Sequence, residues 1–137
     1  MPRSVIQVQN PKTARAAAPF VLPSTPEDRT RIRHILLHSG VFKESDADCV
    51  DEMFGLALAR PALDNYRFLS GWLDGTMAGF ACYGWESLTY GTWDLFWVVT
   101  LPEARGRGLG GALLSEALRV ATAAARATFA AHPNGPS

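Results

Sequence analysis

Apolar positions along this chain change their spacing several times, and each change marks an element. In "STPEDRTRIRHILLHSG", Ile32, Ile35, Leu36 and Leu37 fall on one helical face. Thr25 suits an N-cap, Pro26 sits where a missing N–H costs nothing, and Glu27 and Asp28 complement the helix dipole. Gly40 stops that helix. A second helix is expected from about Ser45, with Val50, Met53, Phe54, Ala57 and Leu58 at helical spacing until Pro61. Ahead of both, "PFVLP" is too brief to assign as a strand.

The pattern then becomes aromatic and strand-like. "YRFLSGWLDGTMAGFACYGWE" holds Asp74-Gly75, a favoured two-residue hairpin turn, between two apolar runs. "TWDLFWVVT" predicts a third strand, too continuously apolar for a freely solvated face. After a glycine-rich stretch, Leu109, Leu113, Leu114 and Leu118 mark an amphipathic helix that an alanine-rich segment extends to about residue 130. The order is short strand, two helices, a three-stranded meander, a glycine-rich turn and a helix. No internal repeat is present.

Composition narrows the class. The 137 residues are 47% hydrophobic and 19% charged, as in a globular domain. No apolar run is long enough to span a bilayer, so no membrane role is expected. Lys and Arg neither dominate nor cluster, which speaks against nucleic acid as a partner. Residues 1–26 carry Arg3, Lys12 and Arg15 and no acid. That start is read as a flexible tail over 1–18, with a targeting role left open; a folded domain over 19–131 and a disordered tail over 132–137 follow. Cys49 and Cys82 lack zinc spacing or a disulfide framework and are read as free thiols in a cytoplasmic protein. His34 and His38 stand four apart, but position 35 is Ile where a zinc protease needs Glu, so no metal site is assigned.

The chemistry concentrates in "LPEARGRGLGGALL", residues 101–114. Gly106, Gly108 and Gly111 satisfy G-x-G-x-x-G, the dinucleotide fingerprint, yet "LPEAR" separates them from the strand. Beyond Glu116 there is also no acid to hold a ribose hydroxyl. A P-loop fails too, for no Lys-Ser or Lys-Thr follows the glycines. What remains is a set of bare amides at a helix N-terminus, which with the helix dipole favours a diphosphate. Arg105 or Arg107 is available for charge-assisted bonds to those oxygens or to an adenosine 3′-phosphate. The competing reading is a plain helix cap with solvated arginines, in which the extra glycines cost helix stability without return.

Arg105, Gly108 and Gly110 match Gln/Arg-x-x-Gly-x-Gly/Ala, and with the preceding apolar strand, "LP" and the "ALL" helix this resembles the pyrophosphate signature of the GNAT acyltransferases. The resemblance runs from about Phe20 to about Ala121 and includes the element order. It implies an α/β fold with an α+β mixed sheet, the GNAT-like acyl-CoA N-acyltransferase fold. It also implies acetyl-CoA as co-substrate and a primary amine of a small molecule or peptide as acceptor. By the same resemblance Val98, Val99 and Thr100 line the acyl-pantetheine arm through their main chain. Arg105, Gly106, Arg107, Gly108, Leu109 and Gly110 hold the phosphates, and a backbone N–H near Val98 polarises the acyl carbonyl.

Acetyl transfer to an amine needs a proton acceptor. Asp94, in an otherwise apolar strand four residues before Val98, is the candidate, and plain strand alternation places the two on one face. Some family members carry a glutamate at the matching place. The alternative is a structural acceptor for a neighbouring loop or an aromatic N–H; Glu86 is a weaker candidate base. The sequence departs from the family pattern after the signature helix, where "RVATAAARATFAAHPNGPS" replaces a further strand, a tyrosine-bearing helix and more strands. A C-terminally truncated domain is therefore expected, either a non-catalytic remnant that retains CoA binding or a chain whose exposed strand edge is covered by a homodimer or partner.

Overall fold

The computed structural model describes residues 18–59, 66–86 and 92–131. The tails expected over 1–18 and 132–137 lie, apart from Ala18, outside the described residues. Strands β1 (Phe20–Pro23), β2 (Tyr66–Leu73), β3 (Thr76–Glu86) and β4 (Thr92–Thr100) form one sheet in that order, antiparallel at every described pairing. Helices α1 (Arg29–His38) and α2 (Glu44–Ala59) lie between β1 and β2 in the chain, and α3 (Leu109–Ala131) follows β4. "PFVLP" becomes a strand because β2 supplies its partners, from Phe20 opposite Trp72 to Pro23 opposite Leu69. Among the described residues no helix is long and apolar enough to cross a membrane.

Strand alternation sorts the sheet into two covered faces. Phe68 and Phe80 face the α1–α2 layer, where Phe54 of α2 meets Phe68 edge-on at 4.9 Å between ring centroids. Ile32, Ile35, Leu36, Ala47 and Val50 complete that buried layer. On the opposite face Leu109 and Leu113 of α3 lie over the paired glycines Gly71 and Gly79. A Cβ at Gly71 would stand 2.8 Å from Leu109 Cδ1, so the missing side chains let the start of α3 press onto the sheet. The buried stripe of α3 is Leu109, Leu113 and Ala117, whereas Leu114 and Leu118 are exposed at 40% and 59%. The leucines alone misplaced that stripe by part of a turn, because helix packing selects the 3.6-residue rows and alanine fits where helix and sheet are close.

The helix starts follow local chemistry. Thr25 N–H donates to Asp28 Oδ2 at 3.0 Å over a 3-10 turn, Pro26–Asp28, and α1 proper begins at Arg29. Ser70, fully buried in β2, donates to the same Asp28 oxygen at 2.9 Å and shares a 2.7 Å bond with Ser24, so no polar atom of that hydroxyl is stranded. Arg29 grips Asp51 of α2 through Nε and Nη2 at 2.7 and 3.0 Å. That hydrogen-bonded guanidinium holds the Asp51 carboxyl below its ordinary value.

Candidate functional site

β4 ends the sheet. Val98, Val99 and Thr100 pair inward with Ala81, Phe80 and Gly79, and no described strand lies on the other side. Alternate main-chain N–H and C=O groups of an end strand face away from the sheet, which makes this edge a template for an extended partner. Val99 is buried, while Val98 is 36% exposed. The ladder also shifts register. Trp97 pairs with Cys82 and Leu95 with Tyr83, so Phe96 is one residue too many and forms a bulge.

That bulge revises the argument from alternation. Asp94 pairs with Gly84 and Val98 with Ala81, positions an odd number of residues apart on β3. Asp94 and Val98 therefore hold register positions on opposite faces, although they are four apart in sequence. The side chain of Asp94 lies outside the described ones, as do those of Trp85, Glu86 and Trp93.

The glycine-rich turn is built on the sheet's far end. Leu101 N–H donates to Ala78 at 2.8 Å, and a 3-10 turn, Pro102–Ala104, brings Arg105 N–H to Pro102 at 3.1 Å. Gly106 and Gly108 then take φ of +79° and +86°, with Arg107 between them at negative φ. Alternating hand over successive residues favours converging N–H groups, although that of Arg107 already donates to the Ala104 carbonyl at 3.4 Å. The first α3 bond runs from Ala112 N–H to Gly108 at 3.0 Å, so the amides of Gly108, Leu109, Gly110 and Gly111 have no partner within the helix. Among the described residues nothing lies within 4 Å of where a Cβ of Gly106, Gly110 or Gly111 would stand. A diphosphate fits this donor set.

The two arginines differ. Arg107 Nη1 stands 2.9 Å from Asp74 Oδ2, a half-exposed ion pair with the β2–β3 turn. Arg105 Nη2 donates to the carbonyl of Ser39 at 2.7 Å, at the C-terminus of α1. The partners Ser39 and Asp74 are not identified by sequence reading. Asp74 is visible there only as a turn residue and Ser39 only as the residue before a stopping glycine. His34 and His38 stack at 4.0 Å with His38 Nδ1 2.9 Å from the His34 carbonyl. Partial burial, then the neighbouring His38 and Arg31, push the His34 pKa below its ordinary value against the opposing charge of Glu103. Trp97 meets Phe42 edge-on at 5.3 Å, and Trp72 stacks on Phe20 at 6.4 Å.

An antiparallel sheet that ends in an open strand, an amide cradle and a helix start defines an acyl-CoA N-acyltransferase fold. A model of the acetyltransferase (GNAT) family matches residues 30–136, and the chain belongs to that family. No curated protein matches the sequence. Among solved structures, one from Desulfovibrio desulfuricans assigned to the GNAT acetyltransferases superposes with a TM-score of 0.73 at 32% identity, covering 78% of this chain and 68% of that one. The PaiA N-acetyltransferase of Thermoplasma acidophilum, in complex with coenzyme A, gives 0.62 at 16% identity over 77% and 73%. A GNAT-family acetyltransferase of Brucella melitensis, in complex with acetyl-CoA, gives 0.58 at 21% over 77% and 70%. The last two share the fold.

Proposed function

We propose that the chain transfers an acetyl group from acetyl-CoA to a primary amine of a small molecule or peptide. The observation that carries this reading is the run of amides 108–111, without partners inside the helix, beside the alternating turn 106–108. In this reading Gly106, Gly108, Leu109 and Gly110 receive the diphosphate through N–H groups, and Arg107 adds positive charge. Val98, Val99 and Thr100 pair with the acyl-pantetheine arm through the open edge of β4. The relatives solved with coenzyme A and acetyl-CoA support the ligand class.

In the chemical step the neutral amine nitrogen attacks the thioester carbonyl carbon, and a main-chain N–H near Val98 stabilises the oxyanion. The amine proton passes to Asp94, the C–S bond breaks, and the thiolate leaves to be protonated. What supports Asp94 is an acid in an otherwise apolar strand, two residues from the Phe96 bulge, a feature that recurs beside active sites. A cytoplasmic location accompanies the reading, supported by Cys49 and Cys82 as free thiols.

Isothermal titration with CoA tests the cradle: saturable binding is expected, and none at high-micromolar protein overturns the reading. An acetyl-transfer assay against a panel of amines then tests turnover. CoA binding without transfer to any amine would favour a binding module. Asp94→Asn is expected to lower kcat while leaving the affinity for CoA unchanged.

A further inference from the structure

The Arg of the signature has a partner inside the protein. Arg105 Nη2 and the Ser39 carbonyl are 2.7 Å apart across 66 residues of sequence. Ser39 is only 3% exposed, and its hydroxyl is committed to the Leu36 carbonyl at 2.8 Å. A helix C-terminal carbonyl in such a place needs a donor, and a cation there also opposes the negative end of the dipole. The connection beyond Ser39 is attached a second time, where Phe42 meets Trp97 of β4, the residue between the bulge and Val98. The root of the cradle, the α1–α2 connection and β4 thus form a closed set of contacts.

We infer that Arg105 is a positioning residue and not a phosphate ligand: it fastens the α1–α2 connection, Ser39–Lys43, to the root of the cradle, so that an occupied cradle is felt at that connection and, through Phe42, at β4. The inference rests on the diphosphate reading for its ligand-linked part and on the Arg105–Ser39 bond alone for its structural part. Charge remains at the cradle through Arg107, whose partner Asp74 is half-exposed and readily exchanged for an anion.

Hydrogen exchange on the full chain, free and saturated with CoA, tests this. In the free protein Arg105→Met is expected to speed exchange over 39–43 by about tenfold, the scale of a lost charge-assisted bond. In the wild type CoA slows exchange over 39–43; in Arg105→Met CoA binds within about threefold of wild type but the slowing is lost, and Arg105→Lys restores it. A fall in CoA affinity beyond about tenfold in Arg105→Met makes Arg105 a phosphate ligand and overturns the inference. So does wild-type exchange over 39–43 in that variant, or a wild type whose exchange there ignores bound CoA. Should Arg105→Met not fold, Arg105→Gln is read by the same criteria. If the wild type binds no CoA, the diphosphate reading falls, while exchange over 39–43 in the free variants still decides whether the Arg105–Ser39 bond holds the connection.

Discussion

Two turns at the same end of the sheet bend their backbones with the same device and use it for opposite purposes. In the β2–β3 turn Asp74 and Gly75 both have positive φ, +51° and +81°, which matches the twist of the flanking strands. The turn closes the ladder from Leu73 to Thr76 and its main chain serves the fold. In the β4–α3 turn the positive values alternate, at Gly106 and Gly108, and four helix amides remain without helix partners. The β4–α3 turn also holds two of its own amides, Arg105 N–H on the Pro102 carbonyl and Arg107 N–H on that of Ala104. The Arg107–Asp74 pair joins them. Positive φ alone is therefore no sign of a ligand site; what counts is where the N–H groups go.

The contrast can be broken from below, where the start of α3 rests on Gly71 and Gly79. Gly79→Val places new atoms 3.0 Å or less from Leu109 Cδ2 and the Val99 carbonyl, and is expected to cost about 3 kcal/mol in a denaturant titration. An unchanged midpoint would mean that α3 does not depend on this close approach. Gly108→Glu sets a carboxylate on the amide cradle and a side chain at φ +86°; CoA affinity by calorimetry should fall about a hundredfold in a still-folded protein. Wild-type affinity in that variant would remove the distinction between the turns.

Smaller changes sharpen it. Gly75→Ala strains only the hairpin, so stability should drop by about 1 kcal/mol while CoA affinity stays within about twofold. Asp74→Asn keeps a residue tolerant of positive φ but removes the charge beside Arg107. Stability should change by less than about 1 kcal/mol, and CoA affinity should rise slightly, more at low salt. An affinity loss would instead make Asp74 a holder of Arg107. The smallest effect is that of pH. The His34 pKa is lowered on folding, chiefly by burial, so its neutral form is favoured and its contribution is present above the ordinary value of 6.5. It is lost as pH falls through the lowered value, because the unfolded chain takes up the proton first. His34→Gln should flatten the melting-temperature profile below the ordinary value of 6.5.

Much of this was legible in the residues. Asp74-Gly75 named its turn because only a few residues tolerate positive φ there, and "TWDLFWVVT" named β4 to its last residue. The glycines before Leu109 marked a helix start with side-chain-free amides, the feature that the proposed diphosphate reading uses. Local rules suffice when the physical cause is local: a φ preference, a cap, a periodicity.

Tertiary structure decided what depends on partners far away in the chain. β1 exists because β2 is beside it, and Ala117 is buried in place of Leu118 because the sheet selects the row of α3 that faces it. The Phe96 bulge reversed the register relation of Asp94 and Val98, since an inserted residue shifts a period of two while leaving the sequence spacing untouched. The two arginines of one motif were separated in the same way. By sequence they were interchangeable cations beside four glycines; Ser39 and Asp74, contributed by other segments, gave one to the frame and the other to the mouth of the cradle. Sequence determined that donors and charge would gather here, because those are properties of residues. Which donor faced which acceptor followed only from the packing that brought 39, 74 and 105–108 together.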